Sequence, residues 1–210
     1  MNYGENGVPY GKFFDKFFVM SLTAFKNEIR SNNPKDLALR WFSKSQIHAI
    51  GTESDYLEFK SQIRADYPNA TDIAVMGSGN WGFSLSPHKR FKSYDSTSDI
   101  DVAIISDQDF NSIWDDIREY HRLNYYAVSY DNKQALLRNG QNVYSGFVTP
   151  KWNPNIKSSL RHNYELNTNK YSSSLVGYKP VNMMFFKNIH EVVDYYVRGI
   201  RLAKVDINGI

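Results

Sequence analysis

Apolar residues in the first third of the chain recur with a helical period. Phe14, Phe18, Leu22 and Phe25 stand three or four apart, and Phe13 and Phe17 widen the same face. Asn33-Pro34-Lys35-Asp36 supplies an N-cap, a first-turn proline and a capping-box acid ahead of an apolar set from Leu37 to Phe42. Thr52 with Asp55 opens a third helix that aligns Tyr56, Phe59 and Ile63 and stops near Tyr67-Pro68. The pattern then changes to short apolar runs. Asp72 to Met76 and Asp99 to Ile105 read as strands, because they are brief, rich in β-branched residues and bounded by Gly or Ser.

After the second strand, Asp107 reads as the cap of a helix with Phe110, Ile113, Trp114, Ile117 and His121 on one side. Residues 122 to 165 carry no clear period, and Gly140, Gly146, Pro150, Pro154 and many Asn mark turns there. Asn167 to Gly177, with Ser172, Ser173 and Ser174, reads as a polar connector into a late strand within Pro180 to Lys187. Asn188 and Glu191 start a final helix whose buried side is Ile189, Val192, Val193, Tyr196 and Ile200. The expected class is α/β in the α+β sense: a mixed sheet flanked by helices, with an N-terminal helical elaboration. One domain over 1–210 is expected, with the N-terminal helices in 1–68, the motif strands in 70–106, and helices, an irregular segment, the late strand and the last helix in 107–210.

The candidate chemistry lies between the two strands. The first ends in Gly77-Ser78-Gly79-Asn80, and the second opens as Ser98-Asp99-Ile100-Asp101. Strand residues alternate faces, so Asp99 and Asp101 project together while Ile100, Val102, Ile104 and Ile105 largely feed a core. Two carboxylates on one face repel unless a cation joins them, and Mg2+ (or Mn2+) is the expected one, held by one or two carboxylates plus substrate phosphates. Gly77, lacking Cβ, lets backbone amides approach phosphate oxygens. Each half alone is commonplace, since acidic pairs often sit on a solvated strand face. The order of strand, Gly-Ser, long loop, Asp-x-Asp, apolar strand end and helix is what joins them.

That order resembles the nucleotidyltransferase superfamily over residues 70–106. The resemblance implies that Gly77 and Ser78 hold the phosphates of a nucleoside triphosphate such as ATP, and that Asp99 and Asp101 carry catalysis and bind the metal. It implies transfer of a nucleoside monophosphate with release of pyrophosphate. The segment Trp81 to Thr97 is longer than in compact members, and its Pro87, His88, Lys89, Arg90 and Lys92 suggest a lid, with Lys89 and Arg90 closing over nucleotide phosphates. Many members draw a third carboxylate from a later strand; here the matching strand offers Asn182, an amide that accepts a hydrogen bond but is no base. The chain also resembles a bacterial branch of unassigned role, with a suggestion of defence or toxin-type enzymes. The acceptor stays open among RNA, a protein side chain, a second nucleotide and a small molecule. A catalytically impaired nucleotide- or RNA-binding module, or a subunit of a larger assembly, are the alternatives.

Charge sharpens this picture. The net charge is +3, but residues 96–119 carry seven acids against Arg118, a local −6, and residues 121–210 carry twelve Lys or Arg against five acids, a local +7. A basic C-terminal half beside an acidic strand suits a polyanion bridged by a cation, or else is scattered solubilising charge. Lys151, Trp152, Lys157, Arg161 and His162 fall in that half as contacts for an acceptor or a nucleobase, with Trp152 equally able to anchor a loop. Fifteen Tyr and thirteen Phe mean an aromatic core or stacking surfaces. Cysteine is absent, which excludes thiolate metal sites and disulfides. The five histidines lack metal-ligand spacing, and neither a P-loop nor a serine-hydrolase elbow occurs. No signal peptide or membrane span is legible, so a cytoplasmic protein without membrane association is expected.

Overall fold

The structure, a computed structural model, describes residues 20–209. Three helices come first: α1 (Leu22–Ser31), α2 (Pro34–Phe42) and α3 (Glu53–Asp66). Strand β1 (Asp72–Met76) runs into a four-residue helix, α4 (Ser78–Trp81), and a long loop leads to β2 (Ile100–Ile105). Two helices, α5 (Asp107–Asn124) and α6 (Tyr130–Tyr144), precede the short β3 (Phe147–Val148). The chain closes with α7 (Ser159–Tyr171), β4 (Val181–Phe186) and α8 (Ile189–Asn208). The class is α+β, as expected, and the sheet is mixed, in the order β1-β2-β4-β3. Strands β1 and β2 are antiparallel, β2 and β4 parallel, and β3 and β4 antiparallel.

Period-two alternation divides the sheet into two buried faces. Ala74, Met76, Ala103, Ile105, Phe147 and Phe186 pack with α1, α2 and α8. Ile73, Val75, Val102, Ile104, Met183 and Phe185 pack with α3, α5 and α7. On the first face Trp41 is fully buried, stacked on Trp81 at 4.2 Å and on Phe25 at 5.8 Å. Its replacement by alanine would cost about 3–5 kcal/mol on cavity grounds. The helical elaboration is therefore bound to the turn after β1, because Trp81 belongs to α4.

Local capping places most helix starts where the sequence puts them. Asn33 Oδ1 accepts from Lys35 N at 2.8 Å, Thr52 Oγ1 from Asp55 N at 3.0 Å, and Asn188 Oδ1 from His190 N at 3.0 Å. At α5 the cap is Ser106 rather than Asp107: Ser106 Oγ accepts from Asp109 N at 3.1 Å, and Asp107 is the first helical residue. Phe110, Ile113 and Ile117 on that helix are buried, but His121 is exposed. The stretch without a clear period contains two helices. α6 was hidden because Asn139 is its one buried residue and Gly140 interrupts its apolar pattern. The buried side of α7 is Tyr164 and Tyr171 alone, two turns apart, too sparse to show a period, and the first five residues of the expected polar connector, Asn167 to Tyr171, are its C-terminal end. Of the first expected stripe, Phe13, Phe14, Phe17 and Phe18 lie outside the described residues; Phe25 is buried and Leu22 exposed. No helix among the described residues is long and apolar enough to cross a membrane.

Candidate functional site

The register decides which side chains meet at the sheet end. Asp101 pairs with Met76, the last residue of β1, on one side and with Asn182 of β4 on the other. Its side chain takes the same face as Ala103 and Ile105, the face covered by α8. The end of β1 and the starts of β2 and β4 thus converge below a cleft of about 770 Å³. Gly77, Ser78, Lys89, Asp99, Asp101 and Asn182 all line it.

Glycine is required at position 77. Its backbone has φ +65° and ψ −156°, a conformation that L side chains rarely adopt. A Cβ there would stand 3.0 Å from Asp101 Oδ2, so the turn approaches the carboxylate as closely as a bare backbone allows. Buried Asn80 fixes the turn from behind: its Nδ2 donates to the carbonyls of Val75 and Trp41, both at 2.8 Å. The amides of His48 and Ala49 in turn donate to Asn80 O and Gly79 O, at 3.0 and 2.7 Å.

The two carboxylates differ in setting. Asp99, just ahead of β2, is exposed, whereas Asp101 within the strand is half-buried. Burial first, and the neighbouring Asp99 charge second, push the Asp101 carboxyl up to about 7, against the pull of Asn182, Lys151 and Lys89. The turn preceding Asp99 is pinned: Asp95 Oδ1 accepts from Thr97 N at 2.9 Å and Thr97 Oγ1 at 2.7 Å, and Lys92 Nζ lies 3.0 Å from Asp95 Oδ2. A polar chain runs across the mouth. Lys151 Nζ donates to Asn182 Oδ1 at 2.7 Å, and Asn182 Nδ2 donates to Asp99 Oδ2 at 2.6 Å. Asn182 thereby links a cation to a carboxylate, using both faces of its amide.

Arg90 does not join this group. Its Nε pairs with Asp206 Oδ2 of α8 at 2.9 Å, and its side chain is absent from the lining of the cleft. Neighbouring Phe91 packs edge-on to Phe25 at 6.3 Å, with Lys26 Nζ 4.7 Å from its ring centre. The segment expected as a lid is thus anchored at Arg90 and Phe91, and Trp81, Phe83 and Leu85 within it are buried. It forms a wall that presents Lys89. Among Lys151, Trp152, Lys157, Arg161 and His162, Lys151 alone lines the cleft. Trp152 lies under Arg138, 4.3 Å from its ring centre, and Arg161 donates to Asn153 O at 2.8 Å.

The opposite wall comes from α8, through Tyr195, Tyr196, Arg198 and Gly199. Burial raises both tyrosine hydroxyls, and the nearby Asp101 adds to it. The sequence marks Tyr196 only as part of a buried stripe, and no local signal reveals that this stripe meets the Asp-x-Asp face. Among the described residues no group of three His, Asp or Glu side chains is placed to hold a metal ion. Asp99 and Asp101 are the two carboxylates of the cleft lining among the described residues. No family model, curated protein or solved structure matches the chain.

Proposed function

We propose that the chain is a divalent-cation-dependent nucleotidyltransferase, moving a nucleoside monophosphate from a nucleoside triphosphate to an acceptor oxygen with release of pyrophosphate. The observation that carries this reading is the closeness of the Gly77 backbone to Asp101, with Asp99 beside it, at the floor of a cleft of nucleotide size. Amides of the Gly77-Ser78 turn and the Lys89 ammonium bind and orient the phosphates. Asp99 and Asp101 fit magnesium, because their mutual repulsion is relieved by a cation; when bound, the ion neutralises charge on the phosphoryl oxygens. Tyr195 and Tyr196 limit water on the α8 side. The acceptor oxygen bonds to the α-phosphorus and gives up its proton to water as the bond to the pyrophosphate oxygen breaks.

The deciding experiment is pyrophosphate release from each of the four ribonucleoside triphosphates with magnesium or manganese, comparing the parent chain with Asp101→Asn. Release that needs Asp101 is the expected result; equal release by the variant would sink the reading. One observation favours a second reading, a nucleotide-binding module without turnover. The Lys151–Asn182–Asp99 chain puts an amide and an ammonium where the resembled family often carries a third carboxylate. Nucleotide binding in the absence of pyrophosphate release would select it.

A further inference from the structure

A second concavity lies away from the sheet end, between the C-terminal half of α5 and α6. Its volume, about 940 Å³, exceeds that of the cleft. Its floor is apolar, from Ile117, Val128 and Leu136, and the exposed Leu137 adds to the lining. Aromatic rings line it as well: Trp114, Tyr125, Tyr126 and Tyr144, with Tyr126 97% and Tyr144 91% exposed. The two helices are tied by Asn132 Nδ2, which donates to Tyr120 Oη at 2.6 Å. The ring of Tyr125 stands edge-on to Tyr126 at 4.9 Å and to His121 at 5.4 Å. Exposed apolar bulk of this kind is costly unless something covers it.

Charge says what kind of partner does so. Among the described residues the lining includes Arg118, His121, Arg122 and Lys133 and no Asp or Glu. Asp115 touches Arg118 at 3.6 Å from outside that lining. Arg118 is matched by Asp115, but Arg122 and Lys133 have no carboxylate within ion-pair distance among the described residues, so an apolar helix of another protein would cover the floor and leave these two charges unbalanced. Bases that stack on tyrosine while their phosphates meet Arg and Lys satisfy both features. Gln141 and the tyrosine hydroxyls add hydrogen-bonding groups for a ribose 2′-hydroxyl.

We infer that the α5–α6 groove is a binding site for single-stranded RNA, separate from the nucleotide cleft and independent of whether the cleft is catalytic. The test is fluorescence anisotropy of a labelled single-stranded 12-mer RNA with the whole chain. The parent chain binds, and the paired change Tyr126→Ala with Tyr144→Ala weakens binding about tenfold or more through lost stacking. Arg122→Ala with Lys133→Ala lowers the slope of log affinity against log salt by about 1.4, as expected for two lost phosphate contacts on a single strand. Circular dichroism melting verifies that both variants fold. Asp99→Asn, which alters the cleft, leaves RNA affinity unchanged, so failure of the groove and failure of the cleft are separable. Three results would overturn the inference: no binding by the folded parent chain, binding insensitive to both paired changes, or equal affinity for DNA of the same sequence. A dimer that dissociates on Tyr126→Ala with Tyr144→Ala would also overturn it, and assign the groove to a second copy.

Discussion

The cleft at the sheet end and the groove between α5 and α6 are of similar size but opposite construction. In the cleft every wall is tied down: Asn80 clamps the turn, Arg90 and Phe91 anchor the loop, and register fixes Asp101 beside Asn182. Its polar groups are positioned against each other, and the cost shows in the raised Asp101 carboxyl. The groove is assembled from facing sides of two helices and the turn between them, with Tyr126 and Tyr144 almost fully exposed. The first design suits discrimination of a small charged ligand by geometry, and the second suits tolerant stacking against a flexible chain.

The largest effects should separate the two sites completely. Asp101→Asn or Asp99→Asn should lower pyrophosphate release by about 100-fold or more, the scale seen when a group stabilising transition-state charge is lost. Gly77→Ala comes next. It should cost about 1–3 kcal/mol in a denaturant titration, because the added Cβ is strained by φ and meets Asp101 Oδ2, and it should weaken nucleotide binding in the same protein. If Gly77→Ala is neutral for both, the turn is not rigid.

Titration sharpens the contrast further. Between the ordinary aspartate value of 3.8 and about 7, the folded chain keeps on Asp101 a proton that the unfolded chain has released. Stability therefore falls as pH rises through that window, with the loss complete above about 7. Without divalent cations, Asp101→Asn should gain Tm relative to the parent chain as pH goes from 5 to 8; a constant difference would show that Asp101 is not held protonated. Lys151→Met should weaken nucleotide binding about tenfold, since it removes a cation from the cleft and the charge-assisted hydrogen bond that orients Asn182, and unchanged affinity would reduce the Lys151–Asn182–Asp99 chain to a surface contact. Smallest of all, Tyr126→Ala should change folding stability by no more than about 0.5 kcal/mol, since the ring is exposed; a larger loss on thermal melting would mean that the groove is part of the core.

Legibility in the sequence follows the same division. The strands around the motif were readable because period-two alternation and a bounding Gly-Ser are local signals, and Asp99 and Asp101 indeed share the cleft with Gly77, Ser78, Lys89 and Asn182. Arg90 was misplaced because spacing along a loop says nothing about where a long side chain turns, and Asp206 lies more than a hundred residues away. The groove was illegible, since α6 buries so little that its pattern resembles a loop.

What the chain alone determined is the set of helix caps, the two-faced strands and the carboxylate pair, all encoded within a few residues by backbone hydrogen bonding and side-chain alternation. Tertiary structure decided the rest. The parallel pairing of β2 with β4 put Asn182 beside Asp101, the packing of α8 brought Tyr195 and Tyr196 over them, and the turn at Pro150–Trp152 delivered Lys151 to Asn182. Such contacts join residues tens of positions apart, and they are chosen by the burial of whole faces, which no short stretch of sequence carries by itself.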